Sequence, residues 1–249
     1  LNEYNAIITN DIDSLLSYYL IKKVFPDVKI SGFYNFTSYY HVTNSSEKKL
    51  FGVDMDVIRG KTFGNHITYF FKNQNAINLN NIYNIEKYHE KYPLSTALLI
   101  FSIYNFNINS FTDEQLKVLL AIDSGYKGFY SNSDYFKKIY TDWLDRLGLR
   151  DLEDRILRKM TVQGFKKIEM EYNLKGTIEV FNNRLYTNIN LPKLSVLFGG
   201  AIHLPPDFFI EGNMYENITI DPMIDTIPDP ENIISMAWVF KDALKMTLK

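Results

Sequence analysis

A chain of 249 residues, 46% hydrophobic and 15% aromatic, is long and apolar enough to bury a sizeable core as one large or two smaller domains. Its formal net charge of −2 spreads no general positive field, so non-specific duplex binding is excluded and any affinity for nucleic acid has to come from a local groove. Cysteine is absent, which excludes disulfides and thiolate chemistry, and no apolar stretch reaches the roughly 18 to 20 residues that span a bilayer; both predict a cytoplasmic protein with no membrane partner.

Residues 4 to 9 read as a buried strand and 14 to 25 as a helix, ended by Pro26 because the residue before a proline is pushed out of the helical region. Between them Asn10-Asp11-Ile12-Asp13-Ser14 places two carboxylates one residue apart, where strand passes into helix. A second strand is predicted over Val28 to Phe36, a polar loop over Thr43 to Lys49, and a third strand over Leu50 to Val53. That third run again ends in Asp-x-Asp, as Asp54-Met55-Asp56. Strand, helix, strand in this rhythm predicts an α/β fold with a parallel sheet flanked by helices. The Asn-rich stretch from Lys72 to Asn84 reads as a surface loop of biased composition, with no function attached.

Leu94, Ala97, Leu98, Ile100 and Phe101 predict a buried helix between Pro93 and Tyr104. Thr112-Asp113-Glu114-Gln115 is a capping box that opens a helix running to about Ile122 and delivering Asp123 at its C-terminal end. From Asp134 to Met160 the pattern is helical, with Tyr135, Ile139, Trp143 and Leu147 on one stripe. After Gly164 the period changes to two, over Ile168 to Tyr172, Thr177 to Phe181 and Arg184 to Ile189, with Asn182-Asn183 as a hairpin turn. The expected organisation is a catalytic domain with its helical connector over residues 1–159 and a second, smaller β-rich α/β domain over 160–249.

Acidic side chains at the carboxyl ends of parallel strands occupy the edge where α/β proteins hold ligands, and crowded carboxylates repel one another unless a cation joins them. Asp11, Asp13, Asp54 and Asp123 are therefore candidate ligands of a divalent metal, although each alone also fits a helix cap or a turn. Asp56 reads either as a further ligand or as a cap on the Val57 to Lys61 segment. Arg59 and Lys61 are candidate phosphate contacts, or simply exposed cations. His66 is either a ligand, a group that meets the leaving oxygen, or a turn residue bonded to backbone.

In order and approximate spacing, Asp11-Ile12-Asp13, Asp54, Asn65-His66-Ile67 and Ala121-Ile122-Asp123-Ser124-Gly125 resemble the acidic motifs of the DHH phosphoesterase superfamily. The Asp-His-His string itself does not occur; its place is taken by Asp54-Met55-Asp56 or by Gly64-Asn65-His66. Phe198-Gly199-Gly200-Ala201-Ile202-His203 is similar to the glycine-rich loop with which that family's small domain grips substrate phosphate, and reads equally as a plain turn. The resemblance implies a phosphoesterase with Mn2+ or Mg2+ as cofactor. Its substrate would be a phosphodiester or pyrophosphate bond of a nucleotide, a dinucleotide or a single-stranded nucleic-acid end. It gives His66 and Asp56 catalytic roles and makes Arg59, Lys61, Asn65, Gly199, Gly200 and His203 the substrate-binding set. Two other readings stand beside it: a phosphatase of haloacid dehalogenase type with Asp54 as nucleophile, and a non-catalytic protein that keeps the fold.

Overall fold

The computed structural model describes residues 1–43, 48–68, 70–240 and 242–249, so positions 44–47 of the expected Thr43 to Lys49 loop lie outside the described residues. The first part of the chain runs β1 (Tyr4–Ile8), α1 (Ile12–Val24), β2 (Ile30–Tyr34), β3 (Ser38–Val42), β4 (Lys49–Val53), β5 (Thr62–Phe63) and β6 (Ala76–Ile77). Helices follow as α2 (Thr96–Ile103), α3 (Asp113–Ala121), α4 (Asp134–Arg146), α5 (Asp151–Arg155) and α6 (Val162–Glu171). The remainder holds β7 (Ile178–Phe181), β8 (Arg184–Thr187), α7 (Leu191–Leu197), β9 (Phe209–Met214), β10 (Glu216–Ile220), β11 (Ile233–Phe240) and β12 (Ala243–Leu248).

Seven strands form one sheet in the order β6-β5-β4-β1-β2-β3-β9. The five from β6 to β2 are mutually parallel, and β3 and β9 add antiparallel strands at one side. Every residue of β2 is buried, because a central strand covered on both faces has no wet side and shows no alternation. Asn35 reverses the chain into β3 by accepting hydrogen bonds from the Thr37 and Ser38 amides, which spends an amide side chain in place of a longer loop. The fold is α/β, as the strand and helix rhythm predicts. Among the described residues no helix is long and apolar enough to cross a membrane.

Local signals account for most helix ends. Helix α1 stops at Val24, with Phe25 as its cap ahead of Pro26. The capping box is realised in α3, where the Thr112 hydroxyl accepts from the Gln115 amide and the Gln115 side chain accepts from the Thr112 amide. Helix α2 is buried from Thr96 through Phe101, in keeping with its nearly unbroken apolar run.

The strand expected over Ile168 to Tyr172 is instead the second half of α6. Thr161 caps that helix at Gly164, and the buried residues Phe165, Ile168, Glu169 and Tyr172 recur at helical spacing while Met170 lies in solvent. Two periods were superposed in that segment, and the cap at Thr161 selects the longer one. The hairpin β7-β8 turns at Asn182-Asn183, whose φ values of 49° and 60° are those of a tight turn that asparagine tolerates.

Residues 160–249 do not keep to one place. Strand β9 joins the edge of the main sheet, while β10-β12-β11 make a separate antiparallel sheet. That sheet is stitched to the first half through bridges Val57↔Ser235 and Ile67↔Trp238 and a 2.9 Å hydrogen bond from the Met236 amide to the Asp56 carbonyl. One hydrophobic core runs continuously from Ala6 and Leu16 through α2 and α3 to Trp238 and Met246.

Candidate functional site

The carboxyl ends of β1 and β4 are tied together by one side chain. Ser14 Oγ accepts from the Thr9 amide at 2.8 Å and donates to the Val53 carbonyl at 2.8 Å, so the residues that follow each strand are held side by side. Those residues are Asp11 and Asp54. After burial and the charge of Asp13, the charge of Asp11 is among the causes that hold Asp54 above the usual carboxylate range, so a shared proton or a shared cation would be favoured between them. Asp11 also caps α1, accepting from the Ser14 amide at 3.0 Å, so the cap reading and the site reading hold for the same carboxylate. Asp54 sits at φ 57°, in the left-handed region, where an aspartate is tolerated but most side chains are not.

Asp13 lies deeper and is fully buried. One of its oxygens accepts from the Thr96 amide at 2.7 Å, and the other from the Ala97 amide at 2.8 Å and the Ser17 hydroxyl at 3.3 Å. Its charge is spent on the first turn of α2, where free amides and the helix dipole welcome an anion. Thr96 serves twice, because its hydroxyl also donates to Asp54 Oδ1 at 2.7 Å. Asp123 follows α3 at φ 53°, with Ser124 at φ 55°, and its exposed carboxylate accepts from Asn65 Nδ2 at 3.3 Å.

These groups feel one another. Burial, then the charge of Asp123, pushes Asp11 up to about 6, against the pull of the Ser14 amide. Burial and the neighbouring aspartates hold Asp13 and Asp54 well above the usual carboxylate range. Among the described residues none of the four aspartates pairs with a lysine or arginine. Asn65 Oδ1 is buried beside them with no hydrogen-bond partner. Hard oxygen donors, mutual repulsion and an orphaned carbonyl oxygen together fit a divalent cation such as Mn2+ or Mg2+. As the side chains stand, no three Asp, Glu, His or Cys groups among the described residues already gather about one point. The reason is visible in their hydrogen bonds: Asp13 is turned to α2, and Asp56 is turned to His66.

Asp56 is engaged with its neighbours and not with the segment that follows it. Its Oδ2 lies 2.7 Å from His66 Nδ1, and its Oδ1 accepts from Asn78 Nδ2 at 2.8 Å. The Asp56 carboxylate fills the space a side chain at Gly64 would need, so only glycine fits there. Burial lowers the His66 pKa, but the hydrogen bond and charge of Asp56 outweigh it and leave the imidazole above its ordinary value. A cavity of about 190 Å³ opens in front of Asp11, Asp54, Asp56 and His66. Its opposite wall is the β10-β12-β11 sheet, which contributes Asn217, Met236, Lys245 and Met246, with Phe36 at the side.

Other expected residues fall elsewhere. Lys61 Nζ lies over the Tyr4 ring at 4.6 Å, at the opposite end of β1 from Asp11, and Arg59 is exposed in the turn before Gly60. Gly199 and Gly200 do not cradle an anion. The Gly200 amide donates to the Ser195 carbonyl at 2.6 Å and the Gly199 amide to the Val196 carbonyl at 3.3 Å, with φ values of 71° and 86° for Gly199 and Gly200. Those are the two hydrogen bonds of a helix-terminating turn, so the amides are consumed in ending α7. His203 then faces a different and larger groove, lined by Tyr18, Lys22 and Lys29.

Sequence reasoning missed Ser14, Thr96, Asn78, Lys91 and Lys245. Asn78 anchors the site from inside the supposed surface loop, donating to both Asp56 and the His66 carbonyl at 2.8 Å. Asn80 and Asn73 in the same stretch bond buried or turn carbonyls, including Tyr92 and Val57. Lys91 packs on Tyr88 at the rim, its ammonium pulled down by burial and partly restored by Asp56. The signal for Thr96 was present in Ser95-Thr96 ahead of an apolar run. No protein-family model matches this chain, and no curated protein matches it.

Proposed function

We propose that the chain is a cytoplasmic metal-dependent phosphoesterase of DHH type, acting on a nucleotide or on a single-stranded nucleic-acid end. The observation that carries the proposal is the side-by-side placement of Asp11 and Asp54, held by Ser14 at the carboxyl ends of two parallel strands, with no lysine or arginine paired to either among the described residues. Asp11 and Asp54 would hold the cation, with Asp123 and Asn65 Oδ1 near enough to join and Asp13 fixed behind them as a structural anion. A bound Mn2+ or Mg2+ supplies Lewis acidity and makes its water a nucleophile at neutral pH.

The chain's own residues do the rest. Asp56 accepts from His66 Nδ1, which leaves Nε2 to meet a leaving oxygen from the pocket, carrying a proton when the imidazole is protonated. Against the effect of burial, Asp56 raises the imidazole pKa, which favours the protonated form that can offer Nε2–H to the leaving oxygen. Lys245 offers an ammonium, and Asn217 an amide, to non-bridging phosphate oxygens from the far wall. Met236, Met246 and Phe36 exclude water around the reacting bond.

Hydrolysis of a bis-aryl phosphate, of dinucleotides and of short single-stranded oligonucleotides with Mn2+ tests the proposal. Turnover that vanishes in both Asp11→Ala and Asp54→Ala, together with loss of Mn2+ binding by calorimetry, is the expected result. A trapped aspartyl-phosphate on Asp54 would move the chain to the dehalogenase class, and silence on every substrate with Mn2+ still bound would favour the non-catalytic reading.

A further inference from the structure

A second cavity lies away from the aspartates. It is a groove of about 1020 Å³ between the C-terminal turn of α1, the start of β2 and the segment 201–207. Four lysines line it: Lys22, Lys23, Lys29 and Lys48. The carboxylates that face it are Asp27 and Asp207, and His203 is the remaining titratable group apart from Tyr18 and Tyr19. Among the described residues none of the four lysines forms an ion pair. Four lysines against two carboxylates make this a local excess of positive charge in a chain of net charge −2.

The geometry is more than scattered lysines. Lys22 is drawn over the Tyr18 ring at 5.9 Å and Lys23 over the Tyr19 ring at 5.0 Å, and the Tyr18 hydroxyl is tied to the Val28 carbonyl at 3.1 Å. Two ammoniums thereby lie over aromatic rings. Between the charges the wall is apolar, through Pro26, Ile30, Val42, Pro205 and Pro206. A chain of bare phosphates would leave that apolar wall in water, whereas a polynucleotide presents phosphates and flat apolar bases in alternation. Helix α1 runs from this groove to Asp11, about 15 Å at 1.5 Å per residue.

We propose that this groove is a second anion-binding site, which holds the backbone of a single-stranded polynucleotide at the amino ends of β1 and β2. The site deepens the reading above, resting on it only in that the substrate would be a strand and not a mononucleotide; the binding itself needs neither metal nor turnover. Lysines act here as point charges, so the affinity is insensitive to base sequence and strongly sensitive to salt.

Fluorescence anisotropy of a labelled twelve-nucleotide deoxythymidine strand, in EDTA, measures it on the whole chain. Three to four phosphate contacts predict that affinity falls roughly 20- to 50-fold between 50 and 200 mM salt. The double variant Lys22→Ala/Lys29→Ala is expected to bind more weakly at low salt and to lose less than about 10-fold over the same range. Lys22→Arg/Lys29→Arg is expected to restore the salt dependence, which a folding defect would not allow. Unchanged binding in the alanine variant would overturn the proposal. So would stronger competition by inorganic polyphosphate than by unlabelled strand at equal phosphate. Mn2+ binding and cleavage of the small bis-aryl phosphate in the same alanine variant report on the aspartate site alone, so failure there and failure here are read separately.

Discussion

At the carboxyl ends of β1 and β4 the chain gathers Asp11, Asp13 and Asp54, with Asp123 brought in behind α3; at the amino ends of β1 and β2 it gathers Lys22, Lys23, Lys29 and Lys48. The two sets differ in more than sign. Asp13 is buried and Asp11 and Asp54 half-buried, hydrogen-bonded to helix ends and hydroxyls, and Asp54 and Asp123 stand on left-handed backbone. The lysines are mostly exposed and unpaired, and only Lys22 and Lys23 have a ring beneath them. Holding like charges together below the surface costs stability and fixes geometry, which is what chemistry on one bond demands. Lining a groove with solvated ammoniums costs little and fixes little, which suits a ligand held by charge and apolar contact without one exact geometry.

The sharpest way to break this contrast is at the deepest acid. Asp13→Ala strips the Thr96 and Ala97 amides and the Ser17 hydroxyl of their acceptor, and is expected to cost roughly 2–4 kcal/mol in urea unfolding. A loss under 1 kcal/mol would mean the acid end is no more built than the basic one.

Metal and pH should act on the acid end alone. A carboxyl that titrates at about 6 when folded, but near 3.8 when unfolded, holds its proton more tightly in the folded chain. The stability it contributes is complete below about 3.8 and is lost as pH rises through about 6, so the metal-free chain should melt lower at pH 7 than at pH 5. Mn2+ at a hundred times its dissociation constant should return about 2.7 kcal/mol at neutral pH, or roughly 5–10 °C in melting temperature, and visibly less at pH 5. Equal shifts at both pH values would remove the aspartates from the account.

Asp56→Asn should lower turnover by about 10- to 100-fold, the usual cost of losing a carboxylate that orients a working histidine. Because Asp56 raises the His66 pKa, the limb of the pH profile that requires protonated His66 should move to lower pH in this variant. An unmoved limb would assign the titration to another group. Smaller still is the backbone term at Asp54: glycine and alanine both remove the carboxylate, but glycine relieves the φ of 57°, so Asp54→Gly should be about 1 kcal/mol more stable than Asp54→Ala. At the other end of the sheet, Lys22→Ala/Lys29→Ala should change stability by less than about 0.5 kcal/mol.

Asp11, Asp54 and Asp123 were legible because an apolar run ending in an acid is a local pattern, and the sheet's topology then decides where run ends meet. Ser14, which does the joining, carries no such pattern: its partners are a neighbouring amide and a carbonyl 39 residues away. The Gly199-Gly200 pair misled because left-handed glycines are needed alike by phosphate loops and by helix ends, and the following residues do not discriminate. Asn78 was hidden by composition, one asparagine among many, and its role depends on Asp56 lying 22 positions earlier. Lys245 reads as the polar member of an alternating strand, and only the folded-back sheet brings it opposite the aspartates.

The wall of the pocket arrives late. Tyr34 meets Ser235 across 201 positions at 2.8 Å, and Thr247 donates to the Phe36 carbonyl across 211. A growing chain that has emerged only as far as the eleventh strand displays the acids without their roof, and closing so long a loop is slow. The cleft is thus walled by β11 and β12, so a chain stopped short of β11 would hold the acidic floor without that wall.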